Sequence, residues 1–182
     1  MPSNNQDKQN IRTVDGKTPS VGKDCFIDFF ACVSGDVILG DQVSIWPFVS
    51  IRGDLLPIKI GSRSNIQDGS VLHTTHESRF FEGSSLNIGD DVTIGHGVIC
   101  HGCTIKNKVL IGMGSIILDR VIIDDEVIVG AGSLVPPGKH LESGYLYVGS
   151  PVKQVRALTD QEKEFLKYSA ENYVQLSRKH TE

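Results

Sequence analysis

The chain has 182 residues, enough for one domain with a substantial core, and its 18 Lys+Arg against 22 Asp+Glu leave a formal net charge of −4 at pH 7. With a pI near 5.8, no basic run and no apolar stretch of spanning length, the composition argues against a nucleic-acid binder or a membrane protein. Four cysteines without a secretory signal imply a reducing compartment and no disulfide framework.

Residues 1–10 open on MPSNNQDKQ, polar and without the apolar centre of a signal peptide, so a disordered tail on a cytoplasmic protein is expected. From Val21 an aliphatic residue recurs every sixth position, through Ile27, Val33, Leu39, Ile45 and Ile51. The beat resumes at Ile60, Ile66 and Leu72, again at Ile88, Ile94 and Cys100, and after a step of five runs from Ile105 to Val135. Four residues after each beat stands a small or β-branched residue, as at Val37, Val43, Ser64, Val92 and Thr104, and Gly often follows the beat directly. A period of six is neither helical nor a plain alternation. It suits two or three extended residues and a corner, repeated in a stack of three-sided coils. About six coils spaced ~4.8 Å apart make a prism on the order of 30 Å tall.

Three histidines ride on this lattice. His73 and His101 each follow a beat by one residue in the third hexad of their coils, so they project outward in one column, with Arg52 one coil earlier. His96 follows Ile94 by two residues in the second hexad, where Asp68 stands one coil earlier with Gln67 beside it. One ion can collect all three imidazoles only if His96 comes from another copy, and a three-sided prism suits a closed three-fold ring. Three imidazoles with an open position are the ligand set of a catalytic zinc site, although imidazole also suits Fe2+ and Co2+.

Cys100-His101-Gly102-Cys103 spells C-x-x-C, but the lattice places Cys100 inward and Cys103 at the next corner, so the thiols are expected to diverge. Val135-Pro136-Pro137-Gly138 and Gly149-Ser150-Pro151 are expected to end the coils and begin a linker. Thr159-Asp160-Gln161-Glu162 then reads as a capping box. Phe165, Tyr168, Ala170, Tyr173 and Leu176 give a helix of about five turns whose apolar stripe lies on the prism.

Arg52-Gly53-Asp54, the run from Asn65 to His73 and the run from His96 to His101 resemble the γ-class carbonic anhydrases, hexapeptide-repeat proteins, from about Ile11 through the terminal helix. The resemblance implies a left-handed parallel β-helix over residues 11–152, then a linker and a C-terminal α-helix over 153–182. It also implies a homotrimer with His73, His96 and His101 on an interfacial metal, Zn2+ first among the candidates. Arg52 and Asp68 would form a structural ion pair, with Asp54 the second acidic position near the arginine. Gln67 would be the polar active-site residue, and Tyr173 would lie near the site. The activity implied is reversible hydration of CO2 to bicarbonate by a metal-activated hydroxide.

The chain departs from the well-established members at Leu55, where they carry a glutamate, and in a shorter loop after His73 that offers His76 in the place of a proton-shuttling glutamate. Three alternatives remain: a metal-dependent acyl-CoA thioesterase, a hexapeptide acyltransferase with one His as base, and a trimeric scaffold whose metal only stabilises the interface.

Overall fold

The computed structural model describes residues 10–80 and 82–181, so most of the expected N-terminal tail lies outside the described residues. The chain forms a left-handed parallel β-helix with one terminal helix, Asp160–Lys179.

Each beat residue pairs in register with its counterpart one coil away. On the first face Val21, Leu39, Ile60, Ile88, Ile105, Ile123 and Leu141 form one ladder. The second carries Ile27, Ile45, Ile66, Ile94, Ile111, Val129 and Tyr147. The third carries Ile11, Val33, Ile51, Leu72, Cys100, Ile117 and Val135. The stack is thus seven levels high on every face, one more than the beat suggests. Side chains such as Ile45, Ile66, Ile94 and Ile123 are fully buried along the axis, each contributing roughly 1.5–3 kcal/mol by leaving water.

The prolines do not end the coils. Pro136 and Pro137 make an ordinary corner, after which His140–Leu141 and Tyr145–Gly149 add to the first and second faces. Val152–Ala157, expected from residue 153 onward as linker, is a strand that pairs antiparallel with Tyr145–Gly149 and covers the end of the second face. It shields an edge that would otherwise present unpaired backbone groups.

Glycine follows the beat for a steric reason. A Cβ on Gly61 would meet the backbone carbon of Gly89 at 2.4 Å, and one on Gly112 would meet the Ala131 nitrogen at the same distance. Alongside this corner, Asp41 Oδ1 accepts from the Lys23 nitrogen, Asp90 Oδ1 from the Ser62 nitrogen and Asp125 Oδ1 from the Asn107 nitrogen, each tying one coil to the next.

The step of five changes which residue turns inward. Cys103, two residues before Ile105, takes the buried corner place expected for Thr104. Cys100 and Cys103 are both buried in the core, and interaction with Cys100 together with burial pushes the Cys103 thiol well up.

The helix begins as its sequence signals. Thr159 Oγ1 accepts from the Glu162 nitrogen at 3.2 Å, and Glu162 Oε2 accepts from the Thr159 nitrogen at 2.9 Å. The helix packs on the second face against Ser44–Ile45, Asn65–Ile66 and Thr93–Ile94. Its buried side is Leu166, Ser169, Ala170 and Ser177, whereas Phe165 and Tyr168, expected on the stripe, are exposed. The outward groups of that face are short and polar, so small helix residues seat against them: Thr93 Oγ1 lies 3.0 Å from Ser169 Oγ. Among the described residues, no helix is long and apolar enough to cross a membrane.

Candidate metal centre

Two long strands, Cys32–Leu39 and Ser50–Ile60, run around the corner between the third and first faces. The chain takes nine residues from Ile51 to Ile60 and sixteen from Leu72 to Ile88 where six would suffice, so both insertions stack at this one corner. The strands Val71–His73 and Ile99–His101 pair beneath it with His73 directly opposite His101. The rings lie 5.2 Å apart, centre to centre, and His73 Nδ1 faces His101 Nε2 at 3.2 Å.

Each ring is held from behind by a carboxylate. His73 Nε2 lies 3.0 Å from Asp54 Oδ1, and His101 Nδ1 lies 3.0 Å from Asp119 Oδ1. A carboxylate accepts, so the outer nitrogen of each ring carries the proton and the two facing nitrogens carry lone pairs. Two such lone pairs side by side call for a cation. The separation suits a tetrahedral zinc, whose Zn–N bonds of about 2.0–2.1 Å hold two ligand nitrogens about 3.3 Å apart.

Burial lowers the His73 pKa against the pull of Asp54, with the Arg52 charge adding to the effect, so this imidazole is neutral at pH 7. At Asp54 burial works upward, but hydrogen bonds from Arg52 and His73 outweigh it and hold the carboxyl below its ordinary value. Arg52 Nη1 is 2.5 Å from Asp54 Oδ2, so within one chain the Arg52 side chain engages Asp54. The Thr75 hydroxyl donates to Asp119 Oδ1 and sits 3.3 Å from His101 Nδ1.

The remaining candidates stand elsewhere. His96 follows the second face, where its Nδ1 lies 3.1 Å from Asp68 Oδ2 on an exposed corner. The Gly97 nitrogen donates to the Asp68 carbonyl, which stacks these two corners. Gln67 is buried and its Nε2 donates to Asn65 Oδ1 at 3.1 Å; Asn65 in turn donates to Thr93 beside the helix. Tyr173 packs edge-on to Trp46 at 5.6 Å. Burial raises its hydroxyl pKa, with the Asp68 charge adding to the effect. His76 is exposed on the loop that Thr75 and Ser84 close by mutual backbone hydrogen bonds.

One prism therefore carries two groups: Arg52, Asp54, His73 and His101 on the third face, and Gln67, Asp68, His96 and Tyr173 around the next corner. Among the described residues, no three His, Cys, Asp or Glu side chains of a single chain gather to hold a metal. Thr75 and Asp119 were missed in the sequence reading. Asp119 stands eighteen residues beyond His101, one coil away, whereas Thr75 lies in an insertion without period.

The family model described as bacterial transferase hexapeptide (six repeats) matches residues 102–137. Protein YrdA of Escherichia coli (strain K12) is 60% identical over 157 residues, covering 86% of this chain and 85% of the relative. A carbonic anhydrase of Geobacillus kaustophilus (strain HTA426) is 44% identical over 160 residues, covering 88% of this chain and 85% of the relative. Gamma carbonic anhydrase 2, mitochondrial, of Arabidopsis thaliana is 39% identical over 170 residues; these cover 93% of this chain but 61% of that longer protein.

Proposed function

The chain belongs to the γ-class carbonic anhydrase-like family of hexapeptide-repeat proteins, and from that premise we propose that it is a zinc-dependent carbonic anhydrase acting in the cytoplasm as a homotrimer. His73 and His101 of one copy and His96 of the next hold the metal, Fe2+ and Co2+ being the other ions this donor set suits. A three-fold ring joins one corner of each prism to a face of its neighbour and so makes three equivalent sites. The observation that carries the reading is the pair of facing imidazole nitrogens 3.2 Å apart, each ring pinned by its own carboxylate.

When bound, the ion lowers the pKa of water to about neutrality. The chain's own residues supply the rest. Asp54 and Asp119 keep two imidazoles aimed, and His73 stays neutral. Gln67, its amide nitrogen anchored on Asn65, offers its carbonyl oxygen to accept from the attacking water or hydroxide and so orients it toward CO2. Tyr173 lines the pocket on the His96 side, and His76 on the exposed loop carries the proton to solvent. Arg52 turns to Asp68 of the neighbouring copy and clamps the interface that the site spans, while Asp54 remains on His73.

A cavity of about 320 Å3, lined by Thr75, Ser84, Asp119 and Pro137 among others, adjoins His101 through Asp119. No candidate metal ligand lines this cavity; acyl-CoA thioester hydrolysis at the same histidines is the second reading. An acyltransferase with one histidine as base has no use for two facing rings. Metal analysis of anaerobically purified protein, followed by stopped-flow CO2 hydration and a thioester screen on the same sample, separates the readings. Near-stoichiometric metal with CO2 hydration that a chelator abolishes is expected. Thioester hydrolysis without CO2 hydration would replace the first reading with the second. Bound metal with neither activity would leave a trimeric scaffold.

A further inference from the structure

We infer that Asp119, braced by the Thr75 hydroxyl, is the positioning group for His101. It would fix which ring nitrogen faces the ion and so set the strength of the site. The inference rests on the metal-site reading above. Asp119 belongs to the coil after His101, and its backbone is fixed in the stack on both sides. The Gly138 nitrogen donates to its carbonyl at 2.9 Å, and the nitrogen of Arg120 donates to the Gly102 carbonyl at 2.7 Å. The carboxylate is therefore carried on the frame of the prism rather than on a loose loop.

Its Oδ1 takes two hydrogen bonds, from His101 Nδ1 at 3.0 Å and from the Thr75 hydroxyl. A free imidazole in water favours its proton on Nε2, the nitrogen that here faces His73. An anionic acceptor at Nδ1 reverses that preference, leaving the Nε2 lone pair toward the ion and making the ring a stronger donor. The Thr75 hydroxyl occupies the same carboxylate oxygen, which limits rotation of the carboxylate away from the ring. Thr75 is itself held by the paired backbone bonds to Ser84, at 3.1 and 2.9 Å. The insertion after His73 thus acts on His101 through Thr75 and Asp119. His73 is held differently, by a carboxylate that also engages Arg52.

The test is titration of the metal-free full chain with Co2+, followed by its visible d–d absorption, for wild type, Asp119→Ala, Asp119→Asn and Thr75→Val. Asp119→Ala is expected to weaken Co2+ binding roughly 10- to 100-fold and to change the band shape, the range typical for loss of such outer partners. Asp119→Asn, which keeps a neutral acceptor, should recover part of the affinity, and Thr75→Val should show a smaller loss in the same direction. Thermal unfolding of the metal-free variants should match wild type, because a merely structural role would move unfolding and leave the spectrum alone. Wild-type affinity and spectrum in Asp119→Ala would overturn the inference; should that variant not fold, the same result in Asp119→Asn would do so. A wild-type chain that takes up no Co2+ would instead overturn the metal-site reading, and this inference with it.

Discussion

His101 and His140 are both outward histidines on the prism, and their neighbours decide what each can do. His101 faces a second imidazole and is backed by Asp119. His140 Nε2 lies 2.8 Å from Asp124, which also pairs with Lys106. His101→Ala should therefore lose the metal, whereas His140→Ala should keep it, as elemental analysis of the two purified variants will show. Equal metal content would mean that the column of His73 and His101 is not the site. That column was legible from one offset, since both histidines follow a beat by one residue. Asp119 was legible in principle, because eighteen residues is one full coil, yet a carboxylate after a corner looks like any turn aspartate until its direction is known. Thr75 was not legible at all, because its neighbours follow no repeat.

At the scale of elements, the corners and the helix cap depend on different physics. Gly61 stands where any Cβ would press on the Gly89 backbone. Gly61→Ala should therefore lower the midpoint of chemical unfolding by an amount corresponding to about 1–3 kcal/mol, the usual range for overpacking. Unchanged stability would mean that the corner can open. The capping box responds to pH instead. Arg156 bonds both Glu162 oxygens at 2.7 Å, and with the Thr159 backbone donor it lowers the Glu162 pKa to about 2. A lowered carboxylate pKa stabilises the folded helix above the unfolded value, here about 4.5, and that contribution fades as pH falls toward 2. Circular dichroism at 222 nm should show the first turns fraying over that window, with Glu162→Gln removing this component. The cap was plain in the sequence, but the buried side of the helix was not. Phe165 and Tyr168 are exposed, and the surface beneath the helix includes Ser44, Asn65 and Thr93, where Thr93 meets Ser169. Hydrophobicity alone does not reveal a polar seam. Likewise, a proline pair looks like a terminus, and only the continuing ladder through Leu141 and Tyr147 shows it to be a corner.

For the whole molecule, the coils form one continuous parallel stack, and its candidate residues are divided between a face and a corner. In the proposed trimer, the same rotation that would bring His96 of one copy to His73 and His101 of another would bring Asp68 to Arg52. Breaking a buried ion pair typically costs about 3–5 kcal/mol, so Asp68→Ala trimers should dissociate at higher protein concentration than wild type, and more readily than His76→Ala trimers. The repeat made the prism legible, because its aliphatic beat is read without reference to anything outside the chain. The proposed site would be a property of several chains, which the sequence signals only through a histidine that no single prism brings to the other two. Light scattering coupled to metal analysis, across a dilution series and with metal removed and restored, tests this most directly. The account predicts a trimer with one metal per chain, weakened when the metal is removed. A monodisperse monomer retaining one metal per chain would contradict it.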